Sequence, residues 1–132
     1  MAGLGQTRLA VRTAKGAEHK FLVEIAASPA EQNQGLMNRQ SLAPDRGMIF
    51  PLSPEREASF WMKNTLIPLD MLFVRSDGTI ARIEANAVPL NLQPVLSGET
   101  VALVLELAGG RAAQLGIQAG DRVSYQGFPV TR

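Results

Sequence analysis

Seven consecutive residues, Val101-Ala102-Leu103-Val104-Leu105-Glu106-Leu107, are apolar on both alternating faces until Glu106 interrupts them. An amphipathic surface strand would alternate polar and apolar residues. A short run without alternation predicts a strand covered on both sides, and so a sheet with this segment at its centre. The rest of the chain divides into extended pieces of similar length. Thr7 to Arg12, His19 to Ile25, Gly47 to Phe50, Ser59 to Lys63, Leu69 to Arg75, Thr79 to Glu84 and Arg122 to Tyr125 are rich in β-branched, aromatic or long apolar residues. Ser76-Asp77-Gly78 is a turn signal between two of them and predicts a β-hairpin. Gly120-Asp121 predicts the turn into the last strand.

Two short helices are expected. In Ser28-Pro29-Ala30-Glu31, serine can cap, proline fits the first helical position, and glutamate can reach back to the cap. This helix is expected to reach about Asn38, with Leu36 and Met37 on its apolar side. Gly35 inside it implies close packing or an early end. Loss of the Ser28 cap is expected to leave ligand binding untouched. Gly109 to Leu115 suits a second helix, stopped by Gly116. The fold class that follows is α+β and mostly β: a strongly bent sheet or partly closed β-barrel with two short helices. At 132 residues, with no repeat, linker or charge block, the chain reads as a single domain, 1–132.

Composition excludes several functions. Apolar residues make up 45% and charged residues 19%, which suits a folded core and not a disordered chain. The net charge is +1, without a basic tract, so no nucleic-acid partner is expected. No apolar run is long enough for a membrane span. There is no cysteine and a single histidine, His19, so thiol chemistry and a metal site are not expected, and no cofactor is implied. His19 reads as an ordinary strand histidine. Met37, Met48, Met62 and Met71 sit in apolar segments and read as core residues, not as copper ligands. P-loop, nucleophile-elbow and paired-histidine motifs are absent. Gly3 and Gly5 begin a dinucleotide-like spacing, but Arg8 occupies the third glycine position.

The stretch Ser59-Phe60-Trp61-Met62-Lys63-Asn64-Thr65-Leu66-Ile67-Pro68-Leu69-Asp70 concentrates the chemistry. Read as a strand, it puts Ser59, Trp61, Lys63 and Thr65 on one face. A lysine, an amide, a hydroxyl and a carboxylate then fall within eight residues amid large apolar groups, as in ligand pockets. The same residues also suit a structural ion pair and a turn in which Asn64 and Thr65 bond the backbone. Glu106, on an apolar strand, is expected to be buried and to need a cation, with Lys63 or Arg39 as candidates. The candidate ligand-binding set is therefore Arg39, Trp61, Lys63, Asn64, Thr65, Asp70 and Glu106. Lys63 and Glu106 are expected to interact, with Trp61 and Asp70 lining the same depression.

Gly35-Leu36-Met37-x-Arg39, Gly47-Met48-x-Phe50 and the Ser59 to Asp70 block together resemble the DUF192 family, also called UPF0127. Val104-Leu105-Glu106-Leu107-x-Gly109-Gly110 and Gly116-Ile117-x-x-Gly120-Asp121-x-Val123 resemble its closing motifs. The likeness runs from about Phe21 to Val123. It implies a compact, mostly β domain of unknown function, often found behind a secretion or lipoprotein signal. By that resemblance a periplasmic or secreted location is expected. The Met1-Ala2-Gly3-Leu4-Gly5 start has no signal-peptide pattern, so a cytoplasmic location stays open. Pro89 to Gly98 matches no family pattern. The segment from Gly110 to Val123, with Gly127 to Val130, is also similar to the second half of a bacterial PDZ domain. The carboxylate-binding loop of the first half is missing.

Two functional classes are in contention. One is a module binding a small polar or sugar-like molecule, or a peptide, through Trp61 and the charged groups. The other is a lyase- or hydrolase-type enzyme using Asp70 or Glu106 with Lys63. A structural or assembly module is a third reading, and it would show a flat apolar patch without a pocket. Balanced charge and one domain give no oligomer signal, so a monomer or a weak dimer is expected.

Overall fold

The computed structural model describes residues 4–130, so Met1, Ala2 and Gly3 of the chain start lie outside it. The chain runs β1 (Gly5–Arg12), β2 (Glu18–Ile25), α1 (Pro29–Gln34), β3 (Arg46–Phe60), β4 (Leu69–Val74), β5 (Ile80–Ala87), β6 (Val95–Ala108), α2 (Arg111–Leu115) and β7 (Arg122–Tyr125). All seven strands join one sheet in the order β5-β4-β6-β3-β2-β1-β7. The apolar run lies in β6, between β4 and β3. Both neighbours pair with it antiparallel; β2 and β3 are parallel.

The sheet curls until its two edges meet at one end. Ile80 N–H donates to Asp121 O at 2.8 Å, Gly120 N–H to Ile80 O at 2.7 Å, and Val123 N–H to Gly78 O at 2.7 Å. The result is a half-barrel. Its interior is an apolar cluster with side chains from every strand, among them Val11, Val23, Ile49, Leu72, Ile80, Leu105 and Val123. A second cluster covers the outer side of β3, β6 and β4, with Met48, Phe50, Met71, Phe73 and Val104 under Leu36 and Met62. Met48, Met62 and Met71 are thus core residues. Among the described residues, no helix is long and apolar enough to cross a membrane.

The Ser28 motif forms as a full capping box. Ser28 Oγ accepts from Glu31 N–H at 3.1 Å, and Glu31 Oε1 accepts from Ser28 N–H at 3.0 Å. The helix stops at Gln34, four residues short of the expected Asn38. Gly35 takes φ +47°, which an L side chain rarely adopts, and its Cα faces the Phe50 ring. Leu36 is buried just beyond the helix end.

The segments expected at Gly47 to Phe50 and Ser59 to Lys63 belong to one long strand, β3, which ends at Phe60. Its ladder with β6 is broken by irregularities between Pro51 and Arg56 and between Glu57 and Ser59. Trp61 to Thr65 therefore leave the sheet and form a turn, with Thr65 N–H donating to Met62 O at 3.1 Å. The shared strand face expected for Ser59, Trp61, Lys63 and Thr65 does not exist.

Candidate functional site

A cavity of about 180 Å³ opens where α1, β3 and β6 approach one another on the outer side of the sheet. The polar helix α1 has no buried residue and supplies Gln32, Asn33 and Gln34. Gly35, Leu36 and Met37 continue that wall. Strand β3 contributes Phe50, Arg56, Ser59 and Phe60; Trp61 and Thr65 follow from the turn, and Glu106 from β6.

Glu106 is the chemically unusual member. It is 4% exposed and stands directly across from Met48 on one side and Met71 on the other. Both methionines are fully buried, so Glu106 stands between apolar neighbours along the sheet. Among the described residues no cation lies within ion-pair distance of it, and burial alone pushes its pKa up to about 8. At neutral pH it is held predominantly as the acid.

Neither expected partner reaches it. Arg39 forms a bidentate pair with Glu24, whose Oε2 accepts from Nη2 at 3.0 Å, and this contact raises the guanidinium pKa. Lys63 is exposed, and its Nζ lies 5.2 Å from the centroid of the Trp61 ring. Lys63 and Asn64 border an adjoining depression that shares Asn33, Gln34, Met37 and Trp61 with the cavity. The expected Lys63–Glu106 interaction is replaced by this cation–π contact, because the turn after Phe60 carries Lys63 out of the sheet.

Asp70 is also removed from the cleft. It pairs in register with Leu107, and Met71 with Glu106, so Asp70 faces the barrel interior while Glu106 faces outward. Fully buried, Asp70 accepts three backbone hydrogen bonds. Its Oδ1 receives Asn86 N–H at 2.9 Å and Gly110 N–H at 3.0 Å, and Oδ2 receives Ala112 N–H at 2.9 Å. These tie the start of α2 to β4 and β5, a structural task.

Of the seven candidate residues, Trp61, Thr65 and Glu106 come together on one cavity. Thr65 is buried, and its hydroxyl donates to Lys63 O at 3.1 Å. Trp61 is 48% exposed. The turn carrying both is fixed to the loop after β5, since Met62 N–H donates to Asn91 O at 2.9 Å and Leu90 N–H to Thr65 O at 3.1 Å. Sequence reasoning missed Arg56 and the carboxamides of α1. Arg56 is exposed, and its one hydrogen bond runs from Nη1 to Pro54 O at 3.4 Å. The signal available for α1 was its polarity on every side, unusual in a helix lying against a sheet. Gln32 partly explains itself, donating from Nε2 to Ala26 O at 3.0 Å and Pro51 O at 2.7 Å. Among the described residues, no group of three or more acidic or histidine side chains is placed to hold a metal ion.

The family model of DUF192, described as Uncharacterized ACR, matches residues 10–125. No curated protein matches the chain. Two crystal structures are similar to it. One, from Sinorhizobium meliloti, is described as a "putative transcription regulator"; it is 44% identical, with a TM-score of 0.95, over 97% of this chain and 99% of that one. The other, from Novosphingobium aromaticivorans, is described as a protein of unknown function. It is 44% identical, with a TM-score of 0.90, over 94% of this chain and 88% of that one.

Proposed function

The chain belongs to the DUF192 family, whose description assigns no activity, and we propose that this domain is a binding module for a small polar ligand seated in the Glu106 cavity. The observation that carries the reading is a buried carboxyl that lines a cavity and, among the described residues, has no protein cation within ion-pair distance. A purely structural carboxyl in such a place would be expected to have a hydrogen-bonding or charged partner, as Asp70 has. Trp61 offers an aromatic face at the same cavity, and Ser59 and the α1 carboxamides offer donors and acceptors.

The enzyme reading asks for two carboxyls in contrasting environments around one substrate. Asp70 faces the opposite side of the sheet, so Glu106 would act alone. A role like that in the description of the Sinorhizobium relative would call for a nucleic-acid surface. The two helices here have six and five residues, and the net charge is +1, which supports a small-molecule ligand instead. One observation favours an assembly role: Leu66, Val88, Leu90 and Leu92 are exposed on the loops beside Trp61. Sedimentation as a monomer counts against that role. The periplasmic or secreted location is part of the proposal and is tested by fractionating cells that express the natural gene.

Trp61 is the only tryptophan and borders the cavity, so its fluorescence reports occupancy. Titration with monosaccharides, amino acids and short peptides is expected to change the emission and raise the melting temperature for one class. No response from any class refutes the binding reading.

A further inference from the structure

Two ionisable side chains line the cavity, Glu106 and Arg56, and neither has an ion-pair partner in the protein among the described residues. They differ in depth. Glu106 is buried between Met48 and Met71, whereas Arg56 is exposed. The remaining lining is neutral: carboxamides from α1, two hydroxyls, and the rings of Phe50, Phe60 and Trp61.

We propose, on the binding reading above, that the ligand is a small zwitterion of the α-amino-acid class, its ammonium on Glu106 and its carboxylate on Arg56. A ligand with only a cation would leave the guanidinium unmatched, and an anion would keep the buried carboxyl protonated and without a charge partner. A neutral polyol could hydrogen-bond to both groups but would supply neither with a counter-charge. A zwitterion satisfies both, and the order of burial sets its direction, ammonium inward and carboxylate toward solvent. Guanidinium is well suited to a carboxylate because it can offer two parallel N–H donors. The aromatic walls suit both an apolar side chain and the C–H groups around an ammonium. A cavity of about 180 Å³ lies below the roughly 300 Å³ lower limit of drug-sized sites, so the fit is to one small molecule.

The pairing has a proton signature. Unliganded Glu106 is protonated at neutral pH; when an ammonium docks, the carboxyl ionises and its proton passes to the buffer. Arg56 on β3 is the other titratable group of the lining. Elsewhere around Glu106, α1 presents carboxamides, and β3 and β4 present Met48 and Met71.

The test is calorimetry and Trp61 fluorescence at pH 7 with glycine, L-leucine, L-phenylalanine, N-acetyl-L-leucine, L-leucinamide and D-glucose. At least one free amino acid is expected to bind. Its heat should differ between phosphate and Tris by close to one released proton. N-acetylation should weaken binding about thirtyfold or more, as for a buried charge pair that loses one member. Converting the carboxylate to the amide, or Arg56→Gln, should weaken it by about fivefold, as for a rim charge. Glu106→Gln should abolish the proton release. If glucose binds and no amino acid does, the zwitterion is wrong and the binding module stands. Amino-acid binding that is indifferent to N-acetylation, or without proton release, also overturns the zwitterion. If no probe binds, both readings fall.

Discussion

Gly47 lies so close to Glu106 that a Cβ on Gly47 would sit 2.5 Å from the Glu106 carbonyl oxygen. The same Cβ would come within 2.9 Å of Leu107 Cδ2. The carbonyl belongs to a central strand bonded on both sides, so it cannot yield as a side-chain tip would. Gly47→Ala is therefore expected to cost about 1–3 kcal/mol, the range for overpacking a core. Urea midpoints check this, and an unchanged midpoint means that β3 and β6 separate freely.

Asp70→Asn tests the structural assignment of that carboxylate. Asparagine keeps one acceptor oxygen and puts an amide nitrogen where the other stood, facing backbone donors. At least one of the Asn86, Gly110 and Ala112 N–H groups then loses its acceptor. A loss of about 1–3 kcal/mol per unmet donor is expected in thermal unfolding. An unchanged melting temperature would return Asp70 to the functional candidates.

Ser28→Ala should remove a cap worth about 1 kcal/mol. The sequence reading expected no effect on binding. The structure changes that expectation, because the capped helix supplies Gln32, Asn33 and Gln34 to the cavity. Reduced affinity is now expected alongside the lower urea midpoint. Affinity equal to wild type would mean that α1 keeps its place without the cap.

What was legible in the sequence is local chemistry. The capping box, the Asp77 turn, the Gly116 stop and the unbroken apolar run of β6 depend on residues a few positions apart. Asp77 Oδ1, for example, accepts from Thr79 N–H at 2.9 Å and closes the β4–β5 turn. The site depended on register between distant strands. Nothing near Asp70 or Glu106 indicates that Met71, not Asp70, stands opposite Glu106, and that single step puts the two carboxyls on opposite faces. The end of β3 at Phe60 is likewise set by its irregular ladder with β6, which no window around Trp61 contains. Arg39, in the segment between α1 and β3, was matched to the wrong carboxylate because its partner Glu24 lies fifteen residues away on β2. The early end of α1 at Gly35 was readable in principle, and the family pattern of glycines marked the position.

Glu106 also makes stability depend on pH in a direction opposite to that of most carboxylates. Its pKa rises from 4.5 to about 8 on folding, so between those values the folded chain holds a proton that the unfolded chain releases. Raising the pH then favours unfolding. The contribution of Glu106 is fully present below about pH 4.5 and is lost as the pH climbs through 8, with a slope of up to about 1.4 kcal/mol per unit. Glu31, Asp77 and Glu99 are held below their usual range by backbone donors, the Thr79 hydroxyl and Arg75, so they lose their contribution at lower pH and do not mask the effect. Glu106→Gln keeps a neutral hydrogen-bonding group of similar shape and cannot ionise. With no buried cation left behind, the substitution is not expected to carry the penalty of breaking an ion pair. Urea unfolding at pH 5, 6.5 and 8 should show the variant gaining steadily on the wild type. Parallel curves across that range would mean that Glu106 is ionised in the folded protein and finds a cation there.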